Sequence, residues 1–356
     1  MLRPQISVIM PVYNAEAYLA ASVGSILEQT VRELELIAIN DGSTDASGRI
    51  LKELAAKDGR IRLIQRGNRG QAATRNEAAA LAQGEYLAWM DADDIAFPQR
   101  LERQRAFLQG HPDVVAVGSA IQYLTSGGLK PVWGRHPEKP AAIGRTLPRE
   151  NCIANPSVMV RRAAFERVPG GFRTEFIPAE DYDLYLRLLE VGQIANLPEV
   201  LLSYRLHGGQ VSHRQLNRQA LAHLGTRTAY ARRRAGESDR VTHGSITREQ
   251  LEVWGVGAWQ IEQVVLETVS GWIALLIKTG ELARAEALLA DEEQFRHPTC
   301  AAWASAERHW LKGRWQWAHG WHSAAARSVL RSLLRQPTVV AGKVVRAAWQ
   351  RLEQGL

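Results

Sequence analysis

The sequence contains little cysteine, no long apolar run and no pattern typical of a secretory signal. Cys152 and Cys300 are the two cysteines among 356 residues. They are too few for a disulfide framework, which indicates a reducing compartment. No uninterrupted apolar run reaches about 18 residues, so no membrane-spanning helix is predicted. The apolar run near the N-terminus is short and ends at Pro11, unlike a signal peptide. These absences predict a cytoplasmic location.

The composition is that of an ordinary globular protein, with 46% hydrophobic and 23% charged residues. The length is sufficient for one large domain and a smaller one. The net charge is +7, and the basic residues are unevenly distributed. Between Arg308 and Leu352 the sequence has nine Lys or Arg and no Asp or Glu. The excess of positive charge in the C-terminal part therefore needs an explanation of its own.

Apolar runs alternate with amphipathic stretches through the N-terminal quarter of the chain. The runs predict strands at 6–10, 34–40, 61–65 and 86–90, and the stretches between them predict helices at 15–28 and 46–56 and one ending at Leu81. Alternating strands and helices predict an α/β fold with a doubly wound parallel sheet. Ligands of such sheets bind beyond the carboxyl ends of the strands, so we expect functional residues in the loops that follow them.

Three carboxylates, Asp91, Asp93 and Asp94, follow the apolar run 86–90. Packed carboxylates repel one another and resist desolvation, and a bound divalent cation would relieve that repulsion. Hard oxygen ligands of this kind suit Mg²⁺ or Mn²⁺. The alternative is a polar turn that caps the next helix, with Asp94 near its N-terminus and Pro98 in its first turn.

The loops after the other strands are polar as well. Tyr13 and Asn14 follow the first strand, Asp41 follows the second, and Arg75 on the third helix is placed to reach the same edge. Taken singly, each has a structural interpretation as a turn residue, a helix cap or a solvated charge. Their convergence on one edge with the carboxylates favours a polyanionic ligand that carries a base, with the metal offsetting diphosphate charge.

Four motifs carry a resemblance to a known family: Ser7 to Asn14 (SVIMPVYN), Asn40 to Asp45 (NDGSTD), Asn68 to Asn76 (NRGQAATRN) and Gly84 to Asp94 (GEYLAWMDADD). The resemblance continues through 170–172 (GGF) and 179–184 (AEDYDL), and it covers roughly residues 5 to 213. The sequence resembles an inverting family 2 glycosyltransferase of the GT-A fold, which has a Rossmann-like nucleotide-sugar-binding domain. The resemblance implies a nucleoside-diphosphate sugar donor, a hydroxyl acceptor, and Mn²⁺ or Mg²⁺ as cofactor.

The resemblance also implies roles for individual residues. Tyr13 and Asp41 would contact the nucleobase, and Asp91 and Asp93 form the DXD pair that serves ribose, diphosphate and metal. Asp94 is expected to support these two carboxylates without binding the metal directly, or to cap the helix. The implied donor-binding set is Pro11, Tyr13, Asn14, Asp41, Arg75, Asp91, Asp93 and Arg205, the metal-binding set is Asp91, Asp93 and His207, and the acceptor-side set is Gly171, Phe172 and Glu180.

Asp181 is the catalytic base that the resemblance implies. Direct displacement at a sugar carbon needs a base near the acceptor hydroxyl, and the family has it at this position. A structural interpretation is also open, because acidic residues stabilise the first turn of a helix, here expected at 182–191. That helix end would favour the ionised carboxylate and weaken the base, and either partial burial or a proton transferred late in the reaction would ease the conflict. For His207, a structural role and a contact with diphosphate or metal are both open.

The segment 122–151 contains Gly127-Gly128, four prolines and no clear periodicity. It is predicted to form part of the acceptor-side wall, with a surface insertion as the alternative. Further strands are expected at 155–162 and 200–204, and 170–172 is expected to approach the acceptor closely from beneath.

After about Val211 the sequence changes to helical patterns rich in Ala, Leu, Arg and Trp. We expect an all-α accessory region there, which gives a GT-A domain at 1–215 and a helical domain at 216–356. Helical hairpins are predicted at 272–290, broken at Gly280, and at 301–335, broken at Gly313. Their spacing resembles tetratricopeptide repeats weakly, and two units do not demonstrate a repeat.

Within the C-terminal region 301–356, the basic stretch 308–352 also contains tryptophans, namely Trp310, Trp315, Trp317, Trp321 and Trp349. Basic residues with interfacial tryptophans suit an anionic membrane surface. The alternative is a packed helical core with solvated arginines. No recognition motif for nucleic acid accompanies the charge, so no nucleic-acid partner is expected.

The predicted function is transfer of a sugar to a glycan or lipid-linked acceptor in surface-polysaccharide synthesis, at the inner face of the membrane. A nucleotidyltransferase would need a Gly-rich phosphate loop after the first strand, where this sequence has Pro11 to Asn14. A catalytically silent nucleotide-sugar-binding scaffold with a partner-binding helical tail is the other alternative. It would have no need for Asp91, Asp93 and Asp181.

Overall fold

The computed structural model describes residues 3–130, 136–208, 215–242 and 244–336. They form two compact units, the first comprising 1–207 with 225–246 and the second 208–224 with 247–356. The division therefore differs from a single boundary after residue 215, because segment 225–246 belongs to the first unit. The predicted tail residues 337–356, with Trp349, lie outside the described residues.

Among the described residues of the first unit, nine strands form one mixed sheet in the order β3-β2-β1-β4-β8-β6-β9-β5, with β7 paired to β6. The strands are β1 (Ile6–Val12), β2 (Leu34–Asp41), β3 (Ile61–Arg66), β4 (Tyr86–Trp89), β5 (Ile95–Ala96), β6 (Val114–Thr125), β7 (Gly128–Lys130), β8 (Met159–Arg161) and β9 (Gln193–Arg205). The helices of this part are α1 (Leu19–Leu27), α2 (Ser47–Lys57), α3 (Gln71–Leu81), α4 (Arg100–Gly110), α5 (Pro140–Thr146), α6 (Arg162–Glu166) and α7 (Glu180–Leu188).

The four strands at one side of the sheet are parallel, as predicted, and their helices cover them. β4 is apolar throughout, and β1 is apolar except for Ser7, because both faces of each strand are buried. Gly84 makes the approach of β4 to β1 possible, since a Cβ at this position would lie 2.6 Å from the backbone nitrogen of Ser7.

The prediction of a wholly parallel sheet is wrong beyond β4. β8 pairs antiparallel with β4 and with β6, and β5 pairs antiparallel with the end of β9. The segment 155–162 is a 3₁₀ turn followed by the short strand β8, where a longer strand was expected. The described residues of 122–151 complete β6, form the β6–β7 hairpin and contribute α5.

Helix α8 (Leu216–Arg234) is divided between the units, and the second unit continues with α9 (Arg248–Val253), α10 (Ala258–Thr279), α11 (Leu282–Ala290), α12 (Ala301–Ala318) and α13 (His322–Arg335). Gly280 ends α10 with φ +82°, as predicted. The predicted break at Gly313 is wrong, because α12 continues through it and ends before Gly320. Gly313 instead allows close packing on α13, since a Cβ there would lie 2.9 Å from Val329.

Leu266, Val269 and Ile273 of α10 belong to the buried core of the helical unit, together with Leu311 and Trp315 of α12. By length and composition α10 would pass for a membrane-spanning helix, with a mean hydropathy of 1.2 over its most apolar window. The rule of uninterrupted apolar runs missed it because polar residues interrupt α10. A core helix of a soluble protein meets the same criterion, and 39% of that window of α10 is buried inside the protein.

Candidate active site

The candidate site lies where β1, β2 and β4 end at one edge of the sheet, beside the end of β9 and the start of α7. It is built around Asp91, Asp93 and Asp94, which follow β4 directly. Each of these carboxylates has a different partner. The site is therefore best described one acid at a time.

Asp91 pairs with Arg75 of α3, whose Nη2 lies 2.8 Å from Asp91 Oδ1. The other terminal nitrogen of Arg75 lies 3.0 Å from Glu180 Oε1 at the start of α7. The Arg75 side chain is only 2% exposed. Burial opposes its charge, but Asp91, Glu180 and Asp181 outweigh that effect and raise the pKa of Arg75. One buried guanidinium thus joins the DXD loop to the helix that carries Asp181.

Asp93 pairs with His207, whose Nε2 lies 2.8 Å from Asp93 Oδ2. Both side chains remain partly exposed, at 22% and 24%. The backbone carbonyl of Asp93 accepts a hydrogen bond of 2.7 Å from Arg205 Nε. The Arg205 guanidinium in turn lies over the ring of Tyr18, 4.5 Å from its centroid, and that ring also contacts His207. Tyr18 gave no signal in the sequence, since it lies outside the motif that ends at Asn14.

Asp94 is buried and does not cap a helix, so the capping alternative is wrong. Its Oδ1 accepts the backbone N–H of Arg205 at 2.8 Å, which fastens the end of β9 to the carboxylate loop. Its Oδ2 has no hydrogen-bond partner among the described residues. Burial, Asp93 and Asp91 raise the pKa of Asp94 well above its usual range.

Asp181 is the second residue of α7, and its surface is partly exposed. Enough protein surrounds the carboxyl that desolvation, reinforced by Glu180, raises its pKa to about 7, against the opposing effect of Arg75. The backbone N–H of Tyr182 donates to it at 2.7 Å. The predicted conflict between the helix end and a basic carboxylate is therefore resolved by desolvation. A carboxylate with this pKa can accept a proton near neutral pH.

Ion pairs anchor the inward side of α7. Asp183 is fully buried and accepts hydrogen bonds from Arg173 Nε and from Arg187 Nε, each at 2.9 Å. Arg173 also contacts Asp239, which Arg233 of α8 contacts in turn. Segment 225–246 thereby joins the first unit through charge pairs. Sequence reasoning missed this network because its members are far apart in the chain.

Gly171 and Phe172 lie beneath the site. Phe172 is 1% exposed and packs on Trp89, with ring centroids 5.1 Å apart, and the Arg75 guanidinium lies 5.3 Å from the centroid of the Phe172 ring. Asn76 of α3 fastens this segment by exchanging two hydrogen bonds of 2.8 Å with the backbone of Phe172. A Cβ at Gly171 would lie 2.4 Å from Asn76 Oδ1, so this approach requires glycine.

The residues expected to contact a nucleobase have different environments. Tyr13 is 54% exposed at the end of β1, whereas Asp41 is buried. Asp41 pairs with Arg66 and accepts the backbone N–H groups of Arg69 and Gly70, each at 2.9 Å. It therefore shapes the loop 67–70 before α3.

Pro11 and Asn14 flank Tyr13 and complete the loop after β1. Pro11 lies within β1 and is partly buried. The side-chain carbonyl of Asn14, a residue with φ +48°, accepts the Thr44 backbone N–H at 2.8 Å. This bond connects the loops after β1 and β2.

The sequence of this site matches a known family. The model of glycosyl transferase family 2 matches residues 7–168. An uncharacterised glycosyltransferase of Haemophilus influenzae is 34% identical over 223 residues, covering 59% of this chain and 68% of the relative.

The chain belongs to glycosyl transferase family 2. It is thus an enzyme of the transferase class. The O-antigen biosynthesis glycosyltransferase WbnJ of Escherichia coli is 34% identical, covering 57% of this chain and 80% of WbnJ. The mannosyltransferase PcManGT of Pyrobaculum calidifontis, solved with GDP-Man and Mn²⁺, has a TM-score of 0.53 at 19% identity, covering 95% of this chain and 88% of that structure. The mixed α/β sheet domain of this family 2 glycosyltransferase has the GT-A fold, and a helical C-terminal region accompanies it.

The donor set of the glycosyltransferase site is compatible with a divalent cation. The Oδ2 of Asp94 has no hydrogen-bond partner among the described residues, and the pKa values of Asp91 and Asp94 are raised. Burial is the largest cause of both shifts, and the neighbouring carboxylates add to it. Carboxylate oxygens are preferred ligands of Mn²⁺ and Mg²⁺. Asp93 and His207 are paired at the exposed side, whereas Asp91 is engaged by Arg75, and its predicted metal-binding role stays a prediction.

Proposed function

We propose that this glycosyltransferase moves a sugar from a nucleoside-diphosphate sugar to a hydroxyl acceptor with inversion at the sugar carbon. The observation that carries the proposal is the environment of Asp181. Its carboxyl has a pKa of about 7 and lies next in sequence to Glu180, which Arg75 joins to the DXD loop. A base with this pKa, held next to a donor-binding loop, suits direct attack by an acceptor hydroxyl.

For the donor, we assign the nucleobase to Tyr13 and the loop shaped by Asp41. Tyr13 presents an exposed ring on which a base can stack, and Asp41 holds the neighbouring backbone in place. Arg205, held over Tyr18 and bonded to the Asp93 carbonyl, supplies positive charge for the diphosphate. Arg75 is too buried to contact the donor as the structure stands, and its assigned role is to hold Asp91 in place.

Asp93 and His207 would hold Mn²⁺ or Mg²⁺ directly. Asp91 and Asp94 would contribute nearby negative charge without binding the cation. When bound, such a cation stabilises the charge of the departing nucleoside diphosphate. The protein prepares this site through Asp94, which positions the backbone two residues before His207. PcManGT, solved with GDP-Man and Mn²⁺, supports this assignment by likeness of fold.

Asp181 would accept the proton of the acceptor hydroxyl as the oxygen attacks the sugar carbon from the face opposite the leaving group. Desolvation keeps the carboxylate basic enough to take this proton. Glu180 stays paired with Arg75 and therefore serves the geometry of α7 rather than the proton transfer. Gly171 and Phe172 support the acceptor side from beneath without exposing the Phe172 ring.

We place the acceptor in surface-polysaccharide or lipid-linked glycan synthesis at the cytoplasmic face of the membrane. Similarity to WbnJ, an O-antigen biosynthesis enzyme, supports the polysaccharide class.

In the second unit, the outer side of α13 exposes Arg327, Leu330, Arg331 and Leu334, with the leucines 56% and 77% exposed. A helix side with leucine and arginine together suits an anionic membrane surface. Buried Trp315 belongs to the helical core, so the packed-core interpretation holds for that tryptophan.

The test is a panel of nucleoside-diphosphate sugars assayed for nucleoside diphosphate release, with Mn²⁺, with Mg²⁺ and with a chelator. We expect release from one donor class, dependent on the cation and accelerated by a glycan acceptor. Asp181→Asn is the negative control. Turnover unaffected by the chelator would contradict the metal assignment, and a product that retains the donor's anomeric configuration would contradict inversion.

A further inference from the structure

We propose that Glu262, His297 and Cys300 form a zinc site inside the helical unit, which carries none of the residues assigned to glycosyl transfer. The ligand atoms of these side chains all lie within 4.8 Å of one another. All are buried, with 5%, 7% and 7% of their surfaces exposed. Among the residues that the structure describes, this is the group of metal-ligand side chains brought together in this way.

The three side chains come from elements that the fold brings together. Glu262 lies in the second turn of α10, and His297 and Cys300 belong to the segment His-Pro-Thr-Cys just before α12. Two ligands separated by two residues and a third from a distant helix form an arrangement common at zinc sites. Local spacing in the sequence does not connect Cys300 with Glu262, because the two residues are 38 positions apart.

The distance between Cys300 and Glu262 is close to that expected for tetrahedral coordination. Cys300 Sγ lies 4.0 Å from Glu262 Oε2. With a Zn–S bond of about 2.3 Å and a Zn–O bond of about 2.1 Å, tetrahedral ligands are about 3.6 Å apart. The Cys300–Glu262 pair therefore needs a shift of a few tenths of an ångström, and the group as a whole, whose ligand atoms lie within 4.8 Å of one another, would contract by up to about 1 Å around the ion.

The surrounding hydrogen bonds orient two of the ligands. Thr299 donates to Glu262 Oε2 from its backbone nitrogen at 2.8 Å and from its hydroxyl at 2.7 Å. His297 Nε2 lies 2.9 Å from the backbone carbonyl of Gln294. A ring N–H directed at a backbone carbonyl leaves Nδ1 with its lone pair, which is how zinc-binding histidines are commonly held.

The chemistry of the ligand set selects the ion. A thiolate and an imidazole favour Zn²⁺ over Mg²⁺ or Mn²⁺, which prefer oxygen ligands. The carboxylate and thiolate would together carry two negative charges, which Zn²⁺ neutralises within a buried site. A water molecule would complete the four-coordinate site. The ion would fasten α10 to the start of α12 and so stabilise the helical unit.

The competing explanation is a metal-free cluster in which Glu262 accepts hydrogen bonds from Thr299 and from the Cys300 thiol. The test uses untagged full-length protein, measured for zinc by plasma mass spectrometry and then reconstituted with Co²⁺ after chelation. We expect one zinc per chain and, with Co²⁺, a thiolate-to-metal charge-transfer band. A protein without stoichiometric zinc that shows no thiolate band with Co²⁺ would overturn the proposal.

Variants separate this site from other metal-binding residues. Cys300→Ser should remove the Co²⁺ thiolate band, whereas Cys152→Ser, which alters the buried cysteine of the first unit, should leave it intact. Thr299→Val, which removes one orienting donor, should weaken zinc affinity by about 10-fold or more. A band that persists in Cys300→Ser would place the metal elsewhere and refute the assignment. Wild-type reconstitution decides the matter even if a variant fails to fold.

Discussion

Replacing Asp181 by Asn distinguishes a catalytic carboxylate from a structural one. The substitution keeps the size of the side chain and its ability to accept the Tyr182 N–H, a bond of 2.7 Å in the structure. It removes the negative charge and the capacity to take a proton. Loss of a positioned general base slows transfer by about 10²-fold or more. Donor affinity should be retained, because Asp181 is assigned to the acceptor side.

The raised pKa of Asp181 also predicts the effect on stability. The pKa rises from 3.8 to about 7, and each pKa unit corresponds to about 1.4 kcal/mol. Ionisation of Asp181 in the folded protein therefore costs on the order of a few kcal/mol. The stability that the protonated form contributes is fully present below pH 3.8 and is lost as the pH rises through about 7. Asp181→Asn lacks this ionisation, so its stability relative to wild type should increase over the same range and then level off.

Two measurements test this reasoning on one preparation. The first is the pH dependence of kcat/KM, which should rise with pH and level off above about 7 in the wild type, because the ionised carboxylate is the active form. The second is denaturant unfolding at low and high pH without donor or metal. In Asp181→Asn the residual rate should show no inflection near that pH, and the free energy of unfolding at pH 8 should equal or exceed that of the wild type.

Asp183→Asn is the matched control, two positions along the same helix. Asp183 is fully buried and pairs with Arg173 and Arg187, so removal of its charge leaves buried cations without their partner. Breaking such a pair costs about 3–5 kcal/mol, and we expect a destabilised protein.

If Asp181→Asn lost donor affinity and turnover equally, Asp181 would be a donor-site residue. Normal turnover in Asp181→Asn would remove it from the mechanism.

Further predictions concern the metal, the buried arginine and the helical unit. Asp93→Asn should abolish Mn²⁺-dependent donor binding in a folded protein, and unchanged affinity by calorimetry would reject Asp93 as a ligand. Arg75→Met should lower transfer by about 10²-fold and the free energy of unfolding by roughly 3–5 kcal/mol, whereas the exposed Arg69→Met should do neither. Reversing the charges of Arg327 and Arg331 should weaken sedimentation with anionic liposomes, as should added salt, since each basic residue near the surface contributes about 1 kcal/mol. A wild-type protein that ignores such liposomes at low salt would refute membrane docking.

Much of the parallel half of the sheet could be predicted because its strands are apolar runs that end at polar motifs. The run predicted at 34–40 is β2, Leu34–Asp41, and the run at 61–65 is β3, Ile61–Arg66. The later strands gave weaker signals. β9 extends over Gln193–Arg205, but exposed Pro198 and Glu199 interrupt its apolar pattern, so only its second half was recognised. β8 has only three residues, and its pairing with β4 and β6 is what makes it a strand.

The sequence by itself determined the family, because its motifs keep carboxylates and glycines at short, recognisable spacings, and it predicted which residues perform the chemistry. Only the tertiary structure decided which partner each acid has. Arg75 meets Glu180 across 105 positions, and Asp93 meets His207 across 114. The pKa of a carboxyl depends on its burial and on the charges within a few ångströms, and local sequence spacing encodes neither across such separations. For this reason the sequence indicated Asp181 only as an acid at a helix end, whereas the fold raises the pKa of its carboxyl to about 7, which suits the proposed role as a base.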